Sequence, residues 1–366
     1  MPAALDQDSP GPLLSLADYE RAALAAMSPE ARSYIEGGAA DELTRDDNPV
    51  AWQRLALRPR MLVGASGLDL GTELLGVGRP HPIVVAPTAF QQLVHPDGEI
   101  GIARAAEATN TVMCVSTLAS AGAAEVAQSA PQTTRWFQLY AFSDPGVTRE
   151  LVDSAAVHGY EALVVTVDRP VLGLRERERR SRVRDAGAHA VQNSAAARGA
   201  PAADYSALID ADLSWADIER LVARSPLPVL VKGVMTAEDA RLAIDHGVAG
   251  VIVSNHGGRQ LDTVLSGADA LPPVVDAVEG RVDVLVDGGI RRGTDIVKAL
   301  ALGARGVLVG RPLTWGLAVA GGEGAQHILQ ILLDELANAL ILTGCPRVKD
   351  LHEGFVTPAP WASRPA

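Results

Sequence analysis

The stretch VDVLVDGGIRRGTDIVKALALGARGVLVG, residues 282–310, sets the pattern on which most of the chain is built. An apolar run at 282–289 ends in a glycine-rich turn, an amphipathic segment follows at 293–302, and a second apolar run follows at 305–310. Strands of nearly continuous apolar character are typical of parallel sheets, because helices cover both faces of such sheets. The stretch therefore predicts a strand, a helix and a second parallel strand.

The same unit can be followed from residue 81 onwards. The predicted strands are 83–87, 111–116, 135–140, 162–167, 228–233, 250–255, 282–289 and 305–310. The predicted helices are 98–108, 122–128, 146–158, 214–224, 236–246, 267–279, 293–302 and about 323–343. Eight such units favour an α/β fold of the (β/α)8, or TIM barrel, type. The alternative is a doubly wound open sheet, which would need a point where the strand order reverses.

Other segments flank the barrel. Residues 1–12 are rich in proline and acidic side chains, and we expect a disordered tail there. Helix start and stop signals predict an N-terminal helical segment within 13–40, whereas 41–80 is expected to be irregular. We therefore expect a single domain over 13–350, followed by a C-terminal tail at 351–366.

A long loop, 169–213, separates the fourth predicted strand from its helix. Loops of this length are uncommon in compact domains and are usually functional or disordered. Since it follows a barrel strand, it lies on the face that carries active sites, and we expect a lid there. Its charged stretch LRERERRSRVR, 174–184, is interpreted as a solvated part of that lid and not as a nucleic-acid patch.

The composition of the 366-residue chain excludes several classes of protein. A formal net charge of −12 gives no global basic footprint for nucleic acid, although a local site can still attract an anion. Two cysteines, Cys114 and Cys345, argue against a disulfide scaffold or a thiolate metal cluster, and no metal site is expected. The sequence shows no signal peptide and no apolar run of about 18–20 residues, so we expect a cytoplasmic protein without a membrane partner.

Polar side chains stand where the predicted strands end, which is where active sites lie in barrels of this type. Helix caps or buried hydrogen bonds would explain any one of them, but explain the whole set poorly. The residues are Thr88, Ser116, Gln138, Tyr140, Asp168, Lys232, Ser254, His256, Asp287 and Arg311.

The last two strands end in DGGIRRG, 287–293, and GRP, 310–312. Loops after these strands commonly bind phosphate in this fold. Glycine lets the backbone approach closely, backbone N–H groups point at the anion, and Arg291 and Arg311 add guanidinium forks. The alternative is a pair of tight turns with surface arginines.

The sixth strand ends in SNHGGRQLD, 254–262. His256 can take a proton near neutral pH, Arg259 can bind a carboxylate, and Asp168 can hold the imidazole and stabilise its charged form. Lys232 needs an anionic partner if it is buried. It could form a Schiff base in an aldolase, neutralise negative charge on a cofactor, or form a structural salt bridge.

These residues together resemble the FMN-dependent 2-hydroxy-acid oxidase and dehydrogenase family, which includes glycolate, lactate and mandelate oxidases. The segment SNHGGRQLD is close to the family signature. Other matching segments are SYIEGGAADELT (33–44), RPRML (58–62), APTAFQ (86–91), HPDGE (95–99), FQLY (137–140), TVD (166–168), VKGVMTAEDA (231–240), DGGIRRGTD (287–295) and GRP (310–312). The resemblance covers about 13–350 and implies one barrel domain that holds FMN at the carboxyl ends of its strands.

The resemblance also implies catalytic roles. His256 is then the active-site base and Asp168 its partner. Tyr140 bonds the substrate hydroxyl or the ketone product, and Lys232 stabilises negative charge on the flavin. Removal of the hydroxyl proton with hydride transfer and removal of the α-proton to give a carbanion both remain open.

Substrate and cofactor contacts follow in the same way. Arg175 and Arg259, helped by Tyr34, are expected to grip the substrate carboxylate. Phe90 and Leu118 are expected to line the side-chain pocket, where the missing indole of glycolate oxidases leaves room for a medium or aromatic group. The FMN-binding residues implied are Pro87, Thr88, Ala89, Ser116, Gln138, Thr166, Lys232, Ser254, Asp287, Gly289, Arg291, Gly310 and Arg311.

The pattern Thr117-Leu118 is similar to actinomycete mandelate and 4-hydroxymandelate oxidases, and Ala89 matches the oxidases of the family. We therefore expect oxidation of a mandelate-like (S)-2-hydroxy acid with O2 as acceptor, giving hydrogen peroxide, by a homo-oligomer such as a tetramer. A lactate-type oxidase and a dehydrogenase that uses a quinone or carrier protein remain alternatives. An aldolase and a non-catalytic FMN-binding barrel are the rivals outside this chemistry.

Overall fold

The computed structural model describes residues 12–64, 66–181, 193 and 208–361. The described chain begins with an N-terminal segment of helices and short strands that precedes the barrel. These elements are α1 (Leu16–Ala26), α2 (Pro29–Glu36), α3 (Leu43–Gln53), β1 (Leu55–Leu57), β2 (Thr72–Leu74) and β3 (Val77–Arg79). The expected disordered tail falls outside these residues except for Pro12, and so does much of the expected lid loop.

The two predicted N-terminal helices are present and begin at their predicted caps. The Ser15 hydroxyl accepts a hydrogen bond from the backbone N–H of Asp18, and the Ser28 hydroxyl accepts one from Ala31. Pro29 occupies the first turn of α2, where its missing N–H costs nothing. Capping signals of this kind are local, which is why they can be identified from sequence.

The expectation that 41–80 is irregular is wrong for α3 and for the short strands. The buried face of α3 carries Thr44 and Asn48, and Pro49 lies inside the helix. The other buried residues, Ala51 and Trp52, both lie near the end of the helix, so no apolar repeat runs along α3 and the usual sequence signal is missing. Asn48 instead bonds Asn255 through both side-chain amides, at 3.1 and 2.8 Å.

Eight parallel strands then form a closed barrel, as predicted. They are β4 (Ile83–Val85), β5 (Val112–Ser116), β6 (Arg135–Leu139), β7 (Ala162–Thr166), β8 (Val229–Val234), β9 (Gly250–Val253), β10 (Asp283–Asp287) and β11 (Gly306–Val309). Each strand pairs with its neighbours in chain order, and β11 closes the ring by pairing with β4. No strand order reverses in this ring, so the alternative of an open doubly wound sheet is excluded.

Helices surround the barrel, and most begin and end within two residues of the prediction. They are α4 (Gly98–Ala108), α5 (Ala123–Ser129), α6 (Pro145–Val157), α7 (Glu176–Ser181), α8 (Trp215–Arg224), α9 (Ala237–Asp245), α10 (Gly267–Val278), α11 (Gly293–Ala301) and α12 (Arg311–Thr343). The last of these starts earlier than predicted and is broken at Ala320 and Gly321, whose backbone angles are not helical.

The strands separate two apolar cores because successive side chains point to opposite faces. Val84, Cys114, Trp136 and Val164 belong to a group inside the barrel. Val85, Val115, Phe137 and Val165 alternate with them and pack under the surrounding helices. The barrel interior is therefore filled with side chains.

Part of the segment predicted to be a C-terminal tail belongs to the body of the fold. The strand β12 (Val356–Pro358) pairs antiparallel with β1, and Phe355 is buried against Ala301 and Cys345. At the amino ends of the barrel strands, the hairpin of β2 and β3 places Leu74 in the interior apolar group. Leu74 thus packs into the barrel at its amino end.

Gly289, in the loop after β10, offers a test of how α3 is held. A Cβ atom at this position would lie 2.1 Å from the backbone oxygen of Asn48 in α3, and its φ is +83°. Gly280 has a similar φ of +70° but open space around it. We expect Gly280→Ala to cost about 1–2 kcal/mol of unfolding free energy from φ alone, and Gly289→Ala about 1–3 kcal/mol more from overpacking. Urea denaturation measures both, and equal losses would contradict this packing.

Candidate active site

One cavity at the carboxyl ends of the barrel strands brings the predicted site residues together. All of them line it except Asp168 and Ser254, which stand directly behind lining residues. The predicted residues that line it are Tyr34, Pro87, Thr88, Ala89, Phe90, Ser116, Leu118, Gln138, Tyr140, Thr166, Arg175, Lys232, His256, Arg259, Asp287, Gly289, Arg291, Gly310 and Arg311. The barrel geometry thus gathers residues from most of its loops into one site.

His256 lies in a tight turn just after β9. Its φ is +58°, and Gly257 and Gly258 are also in the left-handed region. A side chain at Gly258 would collide with the backbone of Arg45 at 2.4 Å, so only glycine fits. Left-handed residues other than glycine cluster at functional sites, because the surrounding structure must hold them there.

The imidazole of His256 is oriented by a buried carboxylate. Its Nδ1 lies 2.8 Å from Oδ1 of Asp168, which follows β7. Burial lowers the pKa of His256 below its usual value against the opposing effect of Asp168, so the ring is neutral at pH 7. Burial alone would raise the pKa of Asp168, but His256, Lys232 and Arg175 together lower it. The pair is therefore a neutral base beside an ionised carboxylate.

Lys232, at the end of β8, is held as a charged ammonium. Its Nζ donates to Oγ of Ser254 at 2.6 Å and lies 3.0 Å from Oδ2 of Asp287. Burial opposes the charge, but Asp287 and Asp168 outweigh it and raise the pKa of Lys232. Schiff-base chemistry needs a neutral amine, so this environment does not suit an aldolase.

Arg175 and Arg259 face the cavity next to each other. The guanidinium of Arg259 lies 4.9 Å from the ring centre of Tyr34, and that ring meets Phe90 edge-on at 5.9 Å. Burial and the neighbouring Arg259 lower the pKa of Arg175 to about 10. Two guanidiniums crowded in this way provide strong attraction for a carboxylate.

Another cationic pair stands where the phosphate was predicted. Burial, Arg259 and the positive charge of Arg291 lower the pKa of Arg311 to about 9, and burial lowers that of Arg291. The guanidinium of Arg291 lies 4.8 Å from the ring centre of Trp315. Depressed arginine pKa values indicate buried cations that lack sufficient negative charge nearby, as at a site for a phosphate.

The polar residues between the two arginine pairs of the cavity fit a flavin mononucleotide. Ser116, Gln138 and Thr166 form a chain across neighbouring strands, with hydrogen bonds of 3.3 and 3.1 Å. The Oδ1 atom of Asp287 is buried without a hydrogen-bond partner among the described residues, and Asp287 lines the cavity. A hydroxyl-bearing ligand would satisfy that oxygen, as the ribityl chain of FMN can.

The pocket beside the flavin residues is bounded by Phe90 and Leu118. The backbone N–H of Phe90 donates to the carbonyl of Leu118 at 3.1 Å, which ties the loops after β4 and β5 together. Phe90 also has a left-handed backbone, with φ of +55°. Its ring position is therefore fixed by the loop.

Two charged residues at this cavity, Arg169 and Glu178, were not predicted from the sequence. Arg169 lines the cavity, with its guanidinium 4.8 Å from the ring centre of Tyr140. Glu178, in α7, is 2% exposed and lies between Arg175 and Arg259. The stretch 174–184 was interpreted as solvated, and this is wrong for Arg175 and Glu178, which are buried; its last three residues lie outside the described part of the chain. The resemblance to the family had already assigned Arg175 to the site, but nothing in this charge-rich run signals that Glu178 turns inward.

The only described residue in the middle of the long loop is Asn193. Its amide nitrogen donates to the carbonyls of Ser116 and Thr117, and its oxygen accepts from the backbone N–H of Ala123. The loop thus returns to the end of β5 beside the cavity.

The fold and site are those of a (β/α)8 enzyme with a buried His–Asp pair beside two arginines. A model of the FMN-dependent dehydrogenase family matches residues 23–358. The chain is 43% identical to the L-lactate oxidase of Nostoc sp., covering 94% of this chain and 98% of that protein. It is 42% identical to human 2-hydroxyacid oxidase 2, again covering 94% and 98%. The chain belongs to the FMN-dependent dehydrogenase family, and FMN is its cofactor.

Solved structures agree with this assignment. Mandelate oxidase with benzoyl-formic acid superposes with a TM-score of 0.85 at 38% identity, covering 94% of this chain and 98% of that one. A mutant flavocytochrome b2 with pyruvate bound superposes with a TM-score of 0.87 at 33% identity, covering 98% and 90%. Within the described residues, none of the helices has both the length and the apolar character needed to cross a membrane.

The Lys232–Asp287 pair gives a direct test of the site's electrostatics. Lys232→Met should cost about 3–5 kcal/mol of unfolding free energy, because it leaves the buried carboxylate of Asp287 without its partner. Adding Asp287→Asn should recover part of this loss, because it removes the unpaired charge. Urea denaturation of the apoprotein measures both, and a double variant no more stable than Lys232→Met would contradict the pairing.

Proposed function

We propose that the protein oxidises an (S)-2-hydroxy acid to the 2-oxo acid and passes the electrons to O2, which gives hydrogen peroxide. The observation that carries the proposal is that His256, held from behind by Asp168, faces the same cavity as Arg175 and Arg259. The family assignment and the 2-hydroxyacid oxidases among the relatives support it.

The two arginines bind the substrate carboxylate in this proposal. A guanidinium has five N–H donors in a planar fork, which matches a carboxylate bidentately. We call Arg175 and Arg259 the carboxylate clamp. Tyr34 packs against Arg259 and holds one side of this clamp. Tyr140, which lines the cavity, bonds the oxygen on C2 of the substrate, so three groups fix its orientation.

His256 removes a proton from the bound hydroxy acid. Its Nδ1 faces Asp168, and no residue that the structure describes bonds Nε2, so Nε2 is the atom that takes the proton. The ionised Asp168 then stabilises the imidazolium, as the acid of a triad does. Loss of two electrons and two protons converts the hydroxy acid to the oxo acid.

FMN, when bound, supplies the two-electron acceptor. Ser116, Gln138, Thr166 and Asp287 would hold its ring and ribityl chain, with Arg291 and Arg311 at the phosphate. The ammonium of Lys232, kept charged by Asp287, offers positive charge to the part of the cofactor beside it.

A medium-sized or aromatic substrate is proposed. Phe90 and Leu118 line the pocket beside the arginines, and an aromatic substrate ring can meet Phe90 edge-on. The likeness to mandelate oxidase supports a mandelate-like acid, while the likeness to L-lactate oxidase keeps lactate in the test.

The experiment is a substrate screen on the purified holoenzyme. Glycolate, lactate, (S)-mandelate and 4-hydroxymandelate are mixed with it without O2, and the flavin absorbance is followed. We expect (S)-mandelate to bleach the flavin fastest, and admission of O2 to restore the colour with one peroxide formed per oxo acid. No bleaching by any of them would refute the proposal. Bleaching reversed by a quinone or dye but not by O2 would instead identify a dehydrogenase.

His256→Ala tests the proton acceptor. Flavin reduction should slow by about 10²–10⁴-fold, because general-base catalysis of this kind contributes that much. FMN should stay bound to the His256→Ala protein. The control variant is His158→Ala, at the end of α6. Rapid reduction of the His256→Ala enzyme would show that another group takes the proton.

Arg259→Met tests the carboxylate clamp. The substrate dissociation constant should rise more than tenfold while FMN affinity changes little, since a charge-assisted hydrogen bond is lost. Arg21→Met is the control, because that side chain is 73% exposed on α1. Unchanged substrate affinity would place the carboxylate elsewhere.

A further inference from the structure

Glu178 contacts both guanidiniums of the clamp. Its Oε1 accepts from Nη1 of Arg175 at 3.2 Å and from Nη2 of Arg259 at 3.0 Å. Its side chain is 1% exposed, so water contributes little to this arrangement. Among the described residues, it is the one acceptor that the side chains of both arginines share.

Glu178 lies behind the arginines and not in the cavity. Both guanidiniums line the cavity, whereas Glu178 is not among the lining residues. A carboxylate in that place does not compete with a ligand for the open side of the clamp. It sets the orientation of the two forks from the rear.

The remaining donors fit one ligand carboxylate. Arg175 donates three hydrogen bonds, to Glu178, to the carbonyl of Arg259 and to the side chain of Gln260. Arg259 also donates three hydrogen bonds, to Glu178 and to the carbonyls of Tyr34 and Gly37. Since a guanidinium has five N–H groups, each arginine keeps two that no described residue takes. These four N–H groups equal in number the lone pairs with which one carboxylate can accept hydrogen bonds.

The charges point to the same ligand. Two arginines and Glu178 carry a net charge of +1, which a single carboxylate neutralises. Without Glu178, two buried cations would face each other with no anion between them, and they would repel strongly at low dielectric. The arrangement therefore needs Glu178 while the clamp is empty.

We propose that Glu178 is a positioning residue that holds Arg175 and Arg259 as a preformed carboxylate clamp. The proposal rests on the proposed function, since the clamp is assigned there. Because Glu178 lies in α7, its carboxylate also ties the start of the long loop to the two arginines.

The pH dependence of binding separates this role from a merely structural one. Arg175 loses charge as the pH rises towards its lowered pKa of about 10, and Glu178 opposes that loss. Removing the negative charge lowers the pKa of Arg175 further, so carboxylate binding fails at a lower pH. The charged and titratable groups facing Arg175 are Arg259, Glu178, Tyr34, Arg169, Asp168 and His256.

The test uses the holoenzyme and benzoate, an unreactive carboxylate whose binding perturbs the flavin spectrum. In Glu178→Gln the benzoate dissociation constant should rise about tenfold at pH 7, and the loss of binding at alkaline pH should begin earlier than in the wild type. Glu178→Asp should restore part of the affinity because it restores the charge. FMN affinity should be unchanged in both. Glu176→Gln is the matched control, since Glu176 lies on the same helix and pairs with Arg180 at the surface.

Each outcome decides the proposal. Wild-type benzoate affinity and pH profile in Glu178→Gln would overturn it, and so would equal loss of FMN and benzoate in both Glu178 variants. If the wild type binds benzoate but no 2-hydroxy acid reduces its flavin, the proposed oxidation fails while the role of Glu178 is still measured. A wild type that binds no carboxylate would overturn both.

Discussion

Closure of an eight-stranded parallel barrel is the constraint on which the site depends. Because every strand runs in the same direction, every carboxyl end opens onto one mouth. Asp168 and His256 are 88 positions apart, yet their side chains meet at 2.8 Å because they follow β7 and β9 at the same level. The N-terminal segment adds Tyr34 from α2 to the same cavity. The apolar packing of the strands thus provides the geometry, and the residues just beyond them provide the chemistry.

The cavity has the opposite charge character to the whole chain. The net charge of the protein is −12, but the cavity is lined by arginines and Lys232, with Asp287 facing that lysine. Glu178 and Asp168 stand behind the lining and hold Arg175 and His256 from the rear. Buried acids therefore keep buried cations in place, and the cations face inward towards an anionic cofactor and an anionic substrate. Overall charge was a poor guide to the ligand for this reason.

Most of the barrel and the polar residues at its strand ends could be predicted, because both depend on signals that are local in sequence. Tyr34, Phe90, Leu118 and Arg175 were expected only from the resemblance to the family. The buried strands appear as apolar runs, and Ser15 and Ser28 mark helix starts. The helix α3 could not be predicted, since its buried Thr44 and Asn48 replace apolar side chains and bond other loops. Glu178 could not be predicted either, because nothing distinguishes it from exposed neighbours such as Glu176. Its role depends on two arginines that only the fold brings together.

The most direct test of this account is a crystal structure of the FMN-loaded protein with benzoylformate, the oxo acid that mandelate would give. We expect the carboxylate to lie between Arg175 and Arg259, within hydrogen-bond distance of both. The oxygen on C2 should face Tyr140 and Nε2 of His256, with Glu178 still behind the two arginines. A carboxylate bound away from these arginines, or a ligand that leaves His256 facing solvent, would contradict it.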